Sequence, residues 1–174
     1  LWRLMDELTE HDPVLDLFRV EADFHNLKAV LKTQVSNTPT EGLFVEHGTI
    51  SAQALEKMIE ERSYDELPPH LSGIAKPALN VLLQTRDGQE CDMMLDRAAM
   101  ETVYEAGKRS DMLFLREYME KRAALMNIKI AVRCCLTQKP LSFIKRALGP
   151  CETLDTDALA LAASRDLDAV YDVL

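Results

Sequence analysis

Residues 24–32 read FHNLKAVLK, and residues 125–133 read LMNIKIAVR. In both stretches an asparagine stands third, a lysine stands two places later, and apolar residues fill most of the remaining positions. Apolar residues before and after Asn26 recur three and four residues apart, which is the spacing of one face of an α-helix. We therefore predict that each stretch lies within a long helix.

A second pair of similar stretches follows the first. Residues 50–55 read ISAQAL, and residues 154–159 read LDTDAL. Asn127 follows Asn26 by 101 residues, whereas the later pair is separated by 104, so the intervening loop is three residues longer in the second copy. Each copy predicts a long helix, a loop with a glycine, and a short helix. Such repeats are typical of supersecondary units that stack to bury a shared core.

The two asparagines need an explanation, because asparagine is a poor helix former. One interpretation is contact with a ligand. The other is that each side-chain amide bonds backbone groups left free at a neighbouring helix end, and recurrence within a repeated unit favours this one. Asp23, three residues before Asn26, is expected to join the same network. The second copy has Ala124 there, so the two networks cannot be identical.

The cationic residues of the repeat are interpreted separately. Lys28 belongs to a charged stripe that we expect to face solvent. Lys129 and Arg133 lie on a helix that is apolar on nearly every side, and such a helix is expected to be buried. Like charges four residues apart repel each other, so we expect ion pairs with carboxylates inside the fold or extension of the side chains to solvent. The alternative is a cationic stripe that faces a partner subunit.

Proline, glycine and capping residues predict the ends of several helices. Asp12-Pro13 is expected to begin the first long helix, and residues 36–40 are expected to form the loop after it. Ser51 is expected to cap a short helix.

Further helices are expected over about residues 73–85, with Pro77 near the start, and over about residues 110–136. Gly107 is expected to end the helix between them. No segment shows the alternation of a strand, so the sequence predicts an all-α fold.

The 174 residues suffice for one domain or two small ones. We divide them into residues 1–68, the end of one helical repeat domain, and residues 69–174, a second such domain. The net charge is −9, with 29 acidic and 20 basic residues. This charge disfavours nucleic acid and anionic lipid as partners and favours a basic partner. Four cysteines without a C-x-x-C motif indicate a reducing compartment.

Motifs that carry chemistry are not found in the sequence. It has no phosphate-binding loop, no H-E-x-x-H and no G-x-S-x-G. The four histidines, at positions 11, 25, 47 and 70, lack the spacing of metal ligands. We therefore expect no catalytic residue, no metal, no cofactor and no direct nucleotide binding.

The order of several segments carries a family resemblance over about residues 15–159. These segments are residues 23–32, residues 126–133, Leu95-Asp96, Tyr104 and the helix from Ser110. Together they resemble the C-subunit family of V-type and A-type ATP synthases, whose eukaryotic relative is the d-subunit of the vacuolar ATPase. Ala124 departs from the pattern, because an acidic residue is expected there.

The resemblance implies an all-helical subunit of similarly built domains arranged like a funnel. Such a subunit is peripheral, at the cytoplasmic face of the membrane, and reaches the membrane through protein partners. Those partners are the central stalk, whose foot it receives, and the membrane rotor ring. It transmits torque for proton or sodium transport and holds no nucleotide or ion itself.

Two other functions stay open on the sequence alone. One is a general helical scaffold or adaptor unrelated to ATPases, and the other is a helical enzyme whose site residues lie outside this chain. Leu1 is not an initiator methionine, apolar helical spacing begins at the first residue, and the sequence stops on an apolar residue. We therefore expect the chain to be a fragment of a longer protein.

Overall fold

A computed structural model describes residues 2–9, 13–36 and 42–174, and within these ranges the chain forms helices and no strand. The prediction of an all-α fold is confirmed. The helices are α1 (Trp2–Thr9), α2 (Pro13–Ser36), α3 (Ala52–Glu60), a 3₁₀ helix (Tyr64–Glu66), α4 (Pro69–Thr85), α5 (Gly88–Lys108), α6 (Leu113–Leu136), α7 (Leu141–Ala147), α8 (Thr156–Ala163) and α9 (Leu167–Val173). Ser36, the first residue of the loop expected over residues 36–40, is the last residue of α2. The rest of that loop and the expected cap at Asp12 lie outside the described residues.

The chain divides into two compact units, residues 1–95 and residues 96–174. The boundary between these units falls within α5 and not between residues 68 and 69, where the sequence predicts the domain boundary. The reason is that α4 packs on α2 and so belongs with the first unit.

The first unit is built on α2, which packs against α3 and α4. Leu27 and Leu31 of α2 are fully buried, together with Leu55 of α3 and Leu71 of α4. Burial of each such side chain contributes about 1.5–3 kcal/mol. Ser51 caps α3, because its hydroxyl accepts a hydrogen bond from the Ala54 N–H at 3.2 Å.

The second unit is built on α6, which packs against α7, α8 and α9. Ala131 of α6, Ile144 of α7, Leu159 of α8 and Val170 of α9 are all fully buried in its core. Leu159 follows the buried Leu55 of the first unit by 104 residues, the offset of the repeat. Asp155 caps α8 through the N–H groups of the helix's first turn, as Ser51 caps α3.

Two helix ends can be compared with the sequence-based expectation. Helix α4 begins at Pro69, so Pro77 lies in its interior and not near its start. Pro69 is tolerated at the first position of α4, because a backbone N–H there would have no partner within the helix in any case. Gly107 is the second-to-last residue of α5, which ends one residue later at Lys108. A Cβ at Gly107 would lie 2.5 Å from Met119 Cγ, so this glycine permits close packing.

Helix α6 is buried on one side only, and the expectation that it is buried all round is wrong. Ala123, Asn127 and Ala131 are at most 4% exposed, whereas Leu125 is 51% and Leu136 65% exposed. The other described helices of the second unit therefore leave half or more of the surface of each leucine exposed. Within the three described ranges, none of the helices combines the length and the hydropathy needed to cross a bilayer.

Candidate functional site

Asn26 joins α2 to the loop that precedes α3. Its Nδ2 donates to the Val45 carbonyl oxygen at 3.0 Å, and the Val45 N–H donates to its Oδ1 at 2.9 Å. The Asn26 side chain is 1% exposed, whereas Val45 is 46% exposed, so the two bonds are partly buried. His25, on the exposed side of the same turn, places Nε2 at 3.2 Å from the Leu43 carbonyl oxygen. The loop is thereby held to the helix at two successive places.

Asn127 makes the same arrangement in the second unit. Its Nδ2 donates to the Gly149 carbonyl oxygen at 3.1 Å, and the Gly149 N–H donates to its Oδ1 at 2.9 Å. Asn127 is fully buried. Val45 lies 19 residues after Asn26, and Gly149 lies 22 residues after Asn127. The difference of three residues is the loop extension read from the sequence.

Asp23 binds the next part of the loop in the first unit. Its Oδ1 accepts from the Thr49 N–H at 2.8 Å and from the Ile50 N–H at 3.3 Å. Its Oδ2 accepts from the Thr49 hydroxyl at 2.5 Å and lies 2.9 Å from His70 Nε2. Because His70 is on α4, this one buried carboxylate connects α2, the loop and α4.

The second unit supplies the corresponding carboxylate from Glu120, one helical turn before Ala124. Glu120 Oε1 accepts from the Thr153 N–H at 2.8 Å and from the Thr153 hydroxyl at 2.9 Å. Its Oε2 accepts from the Tyr104 hydroxyl at 2.7 Å. Thr153 follows Thr49 by 104 residues, so both carboxylates bind the equivalent threonine.

Glu120 was not predicted from the sequence, because it lies four residues before Ala124, the position equivalent to Asp23. The signal that could have found it is the pair Thr49 and Thr153. A threonine at the same loop position in both copies indicates that each could bond an acidic side chain of the long helix, and Glu120 is the nearest acidic residue before Ala124.

The hydrogen bonds around Glu120 determine its protonation. Burial by itself raises the pKa of this carboxyl, but hydrogen bonds from Tyr104, Thr153 and Cys151 outweigh it and lower the pKa to about 2. Glu120 is therefore ionised at neutral pH. Burial, together with the hydrogen bond to this carboxylate, raises the pKa of Tyr104 above its ordinary range.

The three cationic residues of the repeat occupy different environments. Lys28 is half-buried on α2, close enough to Cys91 to act on the pKa of that thiol, which burial raises. Lys129 and Arg133 are exposed, and neither forms an ion pair with any residue that the structure describes. Both side chains therefore extend to solvent, which is one of the two arrangements expected from the sequence.

A shallow pocket of about 180 Å³ lies in the second unit near Gly149 and Pro150. Arg97 at its edge donates to the carbonyl oxygens of Lys145 and Arg146 at 3.3 and 3.1 Å. Lys145 in turn pairs with Asp157 at 2.7 Å. The charged groups of this pocket are therefore engaged with the protein itself.

The two asparagines and the carboxylates of Asp23 and Glu120 thus hold loops and helices together. In the part of the chain that the structure describes, no three histidine, cysteine, aspartate or glutamate residues come together as a metal site would require.

Comparison with known proteins identifies a family. The model of the family described as ATP synthase (C/AC39) subunit matches residues 2–174, which confirms the resemblance read from the sequence. No curated protein matched the chain, and no solved structure matched it. The family match covers nearly the entire chain, and the chain therefore belongs to the ATP synthase (C/AC39) subunit family.

Proposed function

We propose that this chain is a non-catalytic coupling subunit of a rotary V/A-type ATPase. In this function it links the central stalk to the membrane rotor ring and transmits torque for proton or sodium transport. It acts as a peripheral subunit at the cytoplasmic face of the membrane, bound through its protein partners. It binds neither nucleotide nor cofactor.

The observation that carries this proposal is the family match over residues 2–174, taken with the way the polar residues are used. Asn26 and Asn127 each join a long helix to the loop after it through two hydrogen bonds, which are buried at Asn127 and partly buried at Asn26. Asp23 and Glu120 add a carboxylate at the next part of each loop. Leaving a buried donor or acceptor unsatisfied costs about 1–3 kcal/mol, so these connections resist local opening. Resistance to deformation is what a torque-transmitting part requires.

Charge supports protein partners in preference to nucleic acid. The net charge of −9 complements basic surfaces on a stalk or ring subunit, and such complementarity guides association and register. The same charge opposes contact with phosphate backbones.

The test separates coupling from catalysis. Membranes containing the ATPase are depleted of this subunit, and ATP hydrolysis and ATP-driven ion uptake are measured on the same sample before and after the subunit is added back. We expect hydrolysis to persist without the subunit while ion uptake is lost, and uptake to return on add-back. Full ion uptake in the depleted membranes would overturn the proposal. Loss of hydrolysis from the detached catalytic part would do so as well.

A further inference from the structure

One face of α6 is exposed and combines apolar with basic side chains. Phe114 is 73%, Leu125 51% and Leu136 65% exposed. Lys129 and Arg133, also exposed, lie four and eight residues after Leu125 and therefore share its side of the helix. We call the four residues Leu125, Lys129, Arg133 and Leu136 the α6 face.

The charge on this part of the helix is opposite to that of the whole chain. Residues 121–136 contain four basic residues and no acidic one, in a chain whose net charge is −9. Lys129 and Arg133 have no carboxylate partner among the described residues. Two cationic side chains with an apolar side chain before and after them along the helix are complementary to a negatively charged, amphipathic partner.

In the first unit, the apolar position of the equivalent face is covered and one cationic position is paired, although the paired lysine stays 43% exposed. Phe24 corresponds to Leu125, and it is 1% exposed with its ring centroid 5.9 Å from that of His70 on α4. Lys32 corresponds to Arg133, and its ammonium group pairs with Asp92 of α5 at 2.7 Å. Neighbouring helices of the first unit thus bring a ring to the apolar position and a carboxylate to this cationic position.

We propose that the α6 face binds an acidic amphipathic helix of a partner subunit in the ATP synthase complex. Apolar residues of that helix cover Leu125 and Leu136, and its carboxylates pair with Lys129 and Arg133. The binding mode is an amphipathic helix laid on a helical surface, anchored at residues three to four apart. This inference rests on the proposed function, because it takes the partner from the same complex.

A peptide titration tests the chemistry of the face directly. The probe is a fluorescein-labelled helical peptide with leucine on one face and glutamate beside it, and a matched peptide carries lysine in place of glutamate. Each is titrated with the 174-residue chain, with the double variant Lys129→Glu/Arg133→Glu, and with the control Lys57→Glu/Lys76→Glu. The control changes two exposed lysines of the first unit and gives the same net charge.

We expect the acidic peptide to bind the unaltered chain and the control with similar affinity, and the α6 double variant at least about tenfold more weakly. The lysine peptide is expected to bind all three weakly. Circular dichroism melting checks that the double variant remains folded. Equal binding of the acidic peptide to all three proteins would overturn the proposal, as would no binding to the unaltered chain. Self-association that the double variant abolishes would identify a second copy as the occupant and would also overturn it.

Add-back to depleted membranes separates this inference from the proposed function. If the unaltered chain and the control restore ion uptake and the α6 double variant does not, both stand. If all three restore uptake equally, the docking face is refuted and the coupling function stands. If even the unaltered chain restores nothing, the coupling function fails, and the assignment of the partner to this complex fails with it.

Discussion

Asn127 and Gly149 exchange two hydrogen bonds, one in each direction, between a helix side chain and the backbone of a loop 22 residues later. Asn26 and Val45 do the same across 19 residues. An asparagine amide presents one donor and one acceptor side by side, and the backbone N–H and carbonyl of a single residue present the complementary pair. The pairing itself uses only the backbone of the loop residue, which is valine in one unit and glycine in the other.

Replacing Asn127 with leucine removes both bonds and leaves the buried N–H and carbonyl of Gly149 without these partners. We expect the free energy of unfolding to fall by about 1–3 kcal/mol, measured by urea denaturation, and we expect a similar loss for Asn26→Leu. Asn80→Leu is the matched control, because Asn80 is exposed on α4, and its effect should stay within about 0.5 kcal/mol. An unchanged midpoint for Asn127→Leu would refute the structural importance of this pair.

The relocation of the carboxylate in the second unit predicts a rescue. Glu120→Ala removes the acceptor for Thr153 and Tyr104, and we expect a loss of about 1–3 kcal/mol. Adding Ala124→Asp to that variant places an acid where the first unit has Asp23, and we expect about 1 kcal/mol to be recovered, the net value of a typical hydrogen bond. Alone, Ala124→Asp should destabilise, because like charges four residues apart on a helix repel.

Thermal denaturation of the four proteins completes this cycle. Strictly additive effects of the two substitutions would contradict the equivalence of Glu120 and Asp23.

Acid should weaken the fold through Glu120. Its pKa is about 2 in the folded chain against an ordinary value of 4.5, so the folded state favours the ionised form. Its contribution is therefore fully present above about pH 5 and is lost as the pH falls toward 2. Between about pH 6 and pH 3 we expect the unaltered chain to lose about 1–2 kcal/mol more stability than Glu120→Gln. Parallel pH profiles for the two proteins, followed by urea denaturation, would show that the carboxylate is not preferentially ionised in the fold.

Gly48 and Gly73 should respond in opposite ways to alanine. A Cβ at Gly48 would meet the Asp23 carboxylate, which four hydrogen bonds hold in place, and we expect a loss of about 1–3 kcal/mol. A Cβ at Gly73, in the exposed part of α4, meets nothing within 4 Å. Gly73→Ala should therefore stabilise by about 0.5–1 kcal/mol, because alanine has the higher helix propensity. Calorimetric melting of both variants checks the two signs, and a stabilised Gly48→Ala would be the contrary result.

The repeat itself could be predicted from the sequence, because helical spacing and the recurrent asparagine are local patterns. The offset of three residues between the copies also indicated which part had lengthened. Glu120 could not be found in this way, since a side chain one turn away can reach the same threonine. Position-by-position comparison tracks the backbone, whereas the interaction depends on the distance that the carboxylate can span.

Burial of α6 was overestimated for a different physical reason. Apolar content shows that a face is suited to burial, but whether another helix covers it depends on the rest of the fold. In the first unit Phe24 is buried beside α4, whereas in the second Leu125 stays half exposed among the described helices. The boundary of the compact units differed from the predicted one for the same reason, because the packing of α4 on α2 is a long-range property.

The shift from Asp23 to Glu120 has a consequence for protein engineering. A graft that exchanged only the long helices would bring each loop a carboxylate of the wrong length at the wrong turn, and would leave His70 or Tyr104 without its acceptor. The segments that should be exchanged together are therefore the long helix, its loop, and His70 or Tyr104, which binds the second oxygen of the carboxylate. Chimeras of this family should be cut outside that set, at positions where no side chain reaches across the junction.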